Sequence, residues 1–263
     1  MSLFQPLTTE KQREFYDALT SGKLKRGLFG LESRFSPDAA KRSHSFRKYF
    51  LDLIEPIFDR TMNVIDIGCG TGLYFPLVSP LCGSITGIEL SSGFAKLAMQ
   101  TAREYGLPKT TVTLQDSTRL GFRDATFDAA LCVDSLHHVY DLDRTLDELS
   151  RVVKPGGDIV IFEPNVANPL LWAMCVVDSN EWGALSRCYL SRYRKLFSRH
   201  FDEVQGSYNG LLIGPQGKLA TTVADFLLSK PMSPLLARFS PKLFYHLKNR
   251  GGRPTDNGQR RIR

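Results

Sequence analysis

The run Val64-Ile65-Asp66-Ile67-Gly68-Cys69-Gly70-Thr71-Gly72 constrains this chain more than any other stretch of it. A short apolar, β-branched segment reads as a buried strand of a parallel sheet, and a carboxylate inside it is costly unless something donates to it. Three glycines on alternate positions then turn the chain at the strand's carboxyl end. Open α/β sheets take their ligands there, and a backbone without Cβ lets a ligand approach closely. The spacing departs from the dinucleotide pattern G-x-G-x-x-G, because Leu73 stands where its third glycine belongs, and no Gly-Lys-Ser/Thr follows to make a P-loop. A nucleoside fits this turn better than a pyrophosphate.

The residues around this run give the architecture. Segments 64–67, 84–88, 111–114, 129–133 and 158–162 are β-rich and alternate with helix patterns, which predicts an α/β fold with a doubly wound, mostly parallel sheet built from five βα units over about 63–163. Ser91 or Ser92 caps a helix running to Tyr105, and Asp141 or Asp143 caps one over 144–153. Residues 1–60 read as a helical cap or lid, with Phe46, Tyr49, Phe50, Leu53, Ile54 and Ile57 at helical spacing. The core is expected over 61–210, with a substrate-side insertion at 165–200 and a sixth strand at 204–208. A helical, basic extension is expected over 211–263, where Pro231, Pro234 and Pro241 break the pattern and no seventh strand is assigned. A chain of 263 residues suits one such domain with decoration.

Across about 62–164 the chain resembles the class I S-adenosylmethionine-dependent methyltransferases, whose first motif is an acid followed by G-x-G-x-G. The resemblance implies a Rossmann-like methyltransferase sheet and S-adenosyl-L-methionine as cofactor. It implies that Asp66, Gly68, Cys69, Gly70 and Gly72 form the cofactor loop and that Glu89, with Leu90 beside it, takes the ribose hydroxyls. Asp116, with Ser117 beside it in the cofactor site, would hold the adenine amino group, and Val133 would lie beside the methionine part. The run 149–157 resembles the helix and turn that enter strand five. The sulfonium already makes its methyl group electrophilic, so the protein has to hold a nucleophile in line, exclude water and, where needed, remove a proton. His137 and His138, just past the fourth strand, are the candidates for that base, with Asp134, Tyr140 and Glu163 behind them. Tyr16, His44 and Arg47 of the lid are candidates to touch cofactor or substrate.

Five cysteines without C-x-x-C spacing give neither a disulfide framework nor a metal site, and a reducing, cytoplasmic setting is expected. The first residues lack the pattern of a signal peptide, and no apolar stretch reaches the roughly 20 residues of a spanning helix. From Arg238 onward eight basic residues face Asp256 alone, so this end carries the whole net charge of +7. Together with the apolar run 169–177 and a basic amphipathic pattern over 185–201, it points to a small-molecule or lipid-like, isoprenoid-tailed acceptor met at an anionic membrane surface. Nucleic acid is disfavoured for want of an RNA-binding module. The alternatives are a non-catalytic cofactor-binding subunit and an RNA or protein methyltransferase. The sequence gives no indication of oligomeric state.

Overall fold

The computed structural model describes residues 5–23, 37–43, 46–211 and 237–251. Helix α1 is Thr9–Thr20 and α2 is Pro37–Arg42, followed by a π-helical turn at Arg47–Leu51 that runs into Asp52–Ile54. Then come β1 (Asn63–Ile67), α3 (Phe75–Val78), β2 (Ser84–Glu89), α4 (Ser92–Glu104), β3 (Thr110–Leu114), β4 (Phe127–Val133), α5 (Leu142–Val152) and β5 (Val153–Pro164). The insertion holds α6 (Pro169–Val177), α7 (Trp182–Arg187) and α8 (Leu190–Phe197), and β6 (Phe201–Asn209) and β7 (Lys242–Asn249) complete the sheet.

The strand order is β3-β2-β1-β4-β5-β7-β6, with β1 to β5 parallel and β7 antiparallel to both of its neighbours. The α/β sheet is thus doubly wound and mostly parallel, as expected. Ile65, Ile67, Ala130, Ile159 and Ile161 face a core that takes in the inner sides of α5, α7 and α8, while Val64, Leu131, Val160, Phe162 and Phe244 face one shared with Phe50, Ile54 and α3. Ser91 and Asp141 are the helix caps the sequence offers: their side chains accept from the N–H groups of Phe94 and Arg144.

Three expectations are corrected. No helix lies between β3 and β4; residues 115–126 are a loop, so the third βα unit lacks its helix. The segment expected as a helical extension supplies β7, an inner strand whose Leu243, Phe244, Tyr245 and Leu247 are core residues. Its apolar and basic alternation reports a buried sheet strand: Lys242 pairs with Asp134, Lys248 with Asp158 at 2.7 Å, and Arg250 with Asp202 at 2.7 Å. In the basic amphipathic stretch, Leu185, Tyr193 and Phe197 are buried in the core, Arg194 pairs with Glu203 and Arg199 with Asp143. That apolar face is therefore spent on packing and not offered to a membrane. Phe226, Leu227, Leu228, Leu235, Leu236, His44 and the basic residues from Arg253 onward lie outside the described residues.

Candidate cofactor and acceptor site

The glycine loop is stitched to the end of β2. Gly68 and Cys69 donate backbone N–H groups to the Ile88 carbonyl at 2.9 and 3.0 Å, and Gly70 donates to Glu89 Oε2 at 2.9 Å. Glu89 Oε1 accepts from the N–H groups of Leu90 and Ser91 at 2.8 and 2.9 Å, so three backbone donors orient this carboxylate. Gly68, Gly70 and Gly72 all take positive φ (69°, 57° and 71°), a region that L side chains enter only at a cost. Their surroundings differ. A Cβ on Gly68 would lie 2.6 Å from Ser135 Cβ, and one on Gly72 would lie 2.7 Å from the Phe75 ring, whereas one on Gly70 would meet nothing within 4 Å. Cys69 is a small buried filler whose sulfur lies where a side chain on Gly87 would go.

Asp66 is buried in β1 beneath this loop, and no group among the described residues donates a hydrogen bond to its carboxyl. Burial, and then the negative charge of Glu89, push its pKa up to about 7. This donor set fits S-adenosylmethionine: Asp66 can meet the ammonium of the amino-acid part, Glu89 presents acceptors for a diol, and Gly70 leaves room beside the backbone. The other expected cofactor residues lie less directly at the loop. Asp116 Oδ1 closes its own turn by accepting from the N–H and hydroxyl of Thr118 at 2.9 and 2.8 Å. Ser117 Oγ lies 3.0 Å from Thr145 Oγ1 on α5, and Val133 is a buried core residue at the end of β4.

His137 and His138 stand on a short turn, Leu136–His138, directly past β4. Glu163 at the end of β5 organises it: the carboxylate accepts from the N–H groups of Ser135, Leu136 and His137, from Tyr193 Oη at 3.2 Å, and from His137 Nδ1 at 2.7 Å. His137 Nε2 lies 3.1 Å from Glu181 Oε2. Burial alone would lower the pKa of this imidazole, but Glu163 and Glu181 outweigh it and raise the value to about 10. The ring holds its proton and both nitrogens are engaged, which makes His137 a poor acceptor of a substrate proton. His138 Nδ1 lies 3.1 Å from the Asn180 carbonyl, and its ring meets the edge of Tyr16.

Helix α1 spans both halves of the site. Asp17 accepts from Ser91 Oγ at 2.6 Å on the β2 side; Tyr16 packs edge-on against Phe94, and its hydroxyl accepts from Asn180 Nδ2 at 3.3 Å on the β4 side. Arg47 does not join them: it is half-exposed and held by Asp52 and Glu55 at 2.7 and 2.5 Å. Tyr140 is likewise exposed. Asp134 takes φ of 51°, unusual for a residue with a Cβ, and pairs with the buried Lys242. Lys242, Glu181, Asn180 and Asp17 were not singled out by the sequence. None of the four carried a local signal, since each meets its partner only through the fold.

Residues 65–161, from β1 to β5, match the family model of the methyltransferase domain. The chain carries a class I, S-adenosylmethionine-dependent methyltransferase domain. Among curated proteins, this domain is 27% identical over 127 residues to the sterol 4-C-methyltransferase of Caenorhabditis elegans, covering 48% of the chain and 36% of that relative. It is 33% identical over 128 residues to the norajmaline N-methyltransferase of Rauvolfia serpentina, covering 48% and 44%. The match thus spans less than half the length of these curated relatives. The fold of the methyltransferase domain recurs in a crystal structure of the cyclase SpnF, with TM-score 0.61 and 19% identity over 95% of this chain and all of that one. It recurs too in a methyltransferase from Aquifex aeolicus, with TM-score 0.56 and 15% identity over 82% and 99% of the two chains.

Proposed function

We propose that the chain transfers a methyl group from S-adenosylmethionine to a small, lipid-like acceptor that reaches the site along α6. The cofactor supplies an electrophilic methyl group. Asp66 and Glu89 hold its amino-acid and ribose parts, the loop at Gly70 lets it approach the backbone, and Asp116 meets the base. Tyr16 and Asp17 of α1 exclude water once the site is closed. The observation that carries the acceptor class is α6. Its sequence, Pro169-Leu170-Leu171-Trp172-Ala173-Met174-Cys175-Val176-Val177, is apolar on every side, yet Leu170, Trp172 and Val177 are 69%, 47% and 84% exposed. A helix of that kind is out of place in water and suits an apolar tail or a bilayer surface. It leaves the carboxyl end of β5 through a turn that Asn165 and Asn168 fasten to the carbonyls of Arg238, Phe239 and Ser240. A sterol methyltransferase and a phosphatidylethanolamine N-methyltransferase of Cereibacter sphaeroides stand among the relatives, in keeping with this class. No helix among the described residues is long and apolar enough to cross a membrane.

The test is incubation of the full chain with S-adenosylmethionine carrying a labelled methyl group and a cell extract. Label that partitions into the organic phase, and falls when Leu170 and Val177 are changed to Ser, supports the reading. Label confined to the aqueous or macromolecular fraction overturns the acceptor class, and no transfer with any fraction leaves a cofactor-binding subunit.

A further inference from the structure

We propose that His137, His138 and Glu181 form a binding site for one divalent first-row transition ion, of the two-histidine, one-carboxylate kind. Their ligand atoms lie within 4.8 Å of one another. Glu181 Oε2 is 3.1 Å from His137 Nε2 and 3.9 Å from His138 Nε2. Around one ion with bonds of about 2.0–2.2 Å, ligand atoms stand roughly 3–4 Å apart, so the observed spacing needs little adjustment.

Three features mark this as more than a chance meeting of side chains. Each imidazole is fixed through Nδ1 and turns Nε2 to Glu181: His137 donates to the Glu163 carboxylate at 2.7 Å, and His138 to the Asn180 carbonyl at 3.1 Å. Outer partners of this type orient metal-binding histidines and fix their tautomer. Glu163 is itself held by backbone N–H groups and Tyr193, so the support extends a further layer. The two pieces of chain are also locked together, because a Cβ on Gly183 would lie 1.9 Å from the His137 carbonyl oxygen and no other residue allows that approach. His138 and Glu181 retain partial exposure, a route for an ion and for an oxygen or nitrogen donor to complete its coordination. Cysteine spacing in the sequence gave no metal site, and this one uses no cysteine.

The full chain, stripped with a chelator and titrated with Co2+, is expected to take up one ion per chain with visible d–d absorption. Glu181→Gln and His138→Gln are each expected to weaken uptake ten-fold or more. His200→Gln, at a ring 3.2 Å from Asp147 and outside this cluster, is expected to leave uptake unchanged. Circular dichroism identifies which variants fold. Should His138→Gln not fold, the partly exposed Glu181 carries the comparison. No d–d band with the folded wild-type chain at millimolar Co2+, or an affinity unmoved by Glu181→Gln, overturns the site. Uptake is read without cofactor or acceptor, so its outcome is separate from that of methyl transfer.

Discussion

Gly68 and Gly70 share a backbone conformation, but their neighbours give them different work. Gly68→Ala drives a methyl group into Ser135 and is expected to lower stability by ~1–3 kcal/mol, whereas Gly70→Ala adds its methyl to open space. The second variant is expected to lose only the ~1 kcal/mol that a left-handed backbone costs a residue with a Cβ, and to lose affinity for S-adenosylhomocysteine, measured by calorimetry beside a melting curve. Asp66 gives a prediction in pH. Its folded pKa of about 7 stands above the unfolded value of 3.8, so between these two the folded chain binds more protons and stability falls as pH rises. Asp66→Asn removes that slope: unfolding in denaturant at pH 8 and pH 4 is expected to show a gain over wild type at pH 8, of up to about 4 kcal/mol, that vanishes at pH 4. An equal effect at both pH values would refute the raised pKa. Asp66 and the glycines were legible because a carboxylate inside an apolar strand and a periodic glycine turn are local signals. The partners of His137 were not, since Glu163 and Glu181 are separated from it by 26 and 44 residues and only the fold brings them together.

Among the elements, β1 to β6 could be read from β-rich runs between helix patterns. β7 could not, because local pattern says nothing of where a strand inserts, and its charged residues read as a surface while each has an acid opposite it in the sheet or loops. The missing helix between β3 and β4 went unseen for a similar reason: the crossing is made by a turn at Asp116 and Thr118 and by Glu148 and Arg151 of α5, which bond the backbone of Leu120 and Phe122. Helix α1 offers a test at this scale. Asp17 accepts from Ser91 Oγ at the start of α4, where a negative charge also meets the positive end of that helix. Asp17→Ala is expected to speed hydrogen exchange in α1 and to raise the dissociation rate of bound S-adenosylhomocysteine, with the exchange of β1 and β4 unchanged. Slowed or equal exchange in α1 would remove its role as a closing element.

At the scale of the whole molecule, the sheet is fastened at its far end by Asn249. The buried amide donates to the carbonyls of Ser150 and Val153 at 2.9 and 2.7 Å and accepts from Ser150 Oγ at 3.0 Å. Asn249→Ala strands these groups and is expected to cost about 2–4 kcal/mol, seen as a lower denaturant midpoint with unchanged slope. A chain ending at residue 241 lacks the inner strand and is expected to lose cooperative unfolding altogether. The placement of β7 also bears on how the molecule is made. It pairs with β5 and β6, although it follows both in the chain. Until residue 249 has left the ribosome, the growing protein therefore presents two open strand edges facing one gap, the kind of surface on which neighbouring chains join. Synthesis of this protein has a vulnerable interval, closed when β7 emerges and fills the gap, and a chaperone's demand would be greatest there.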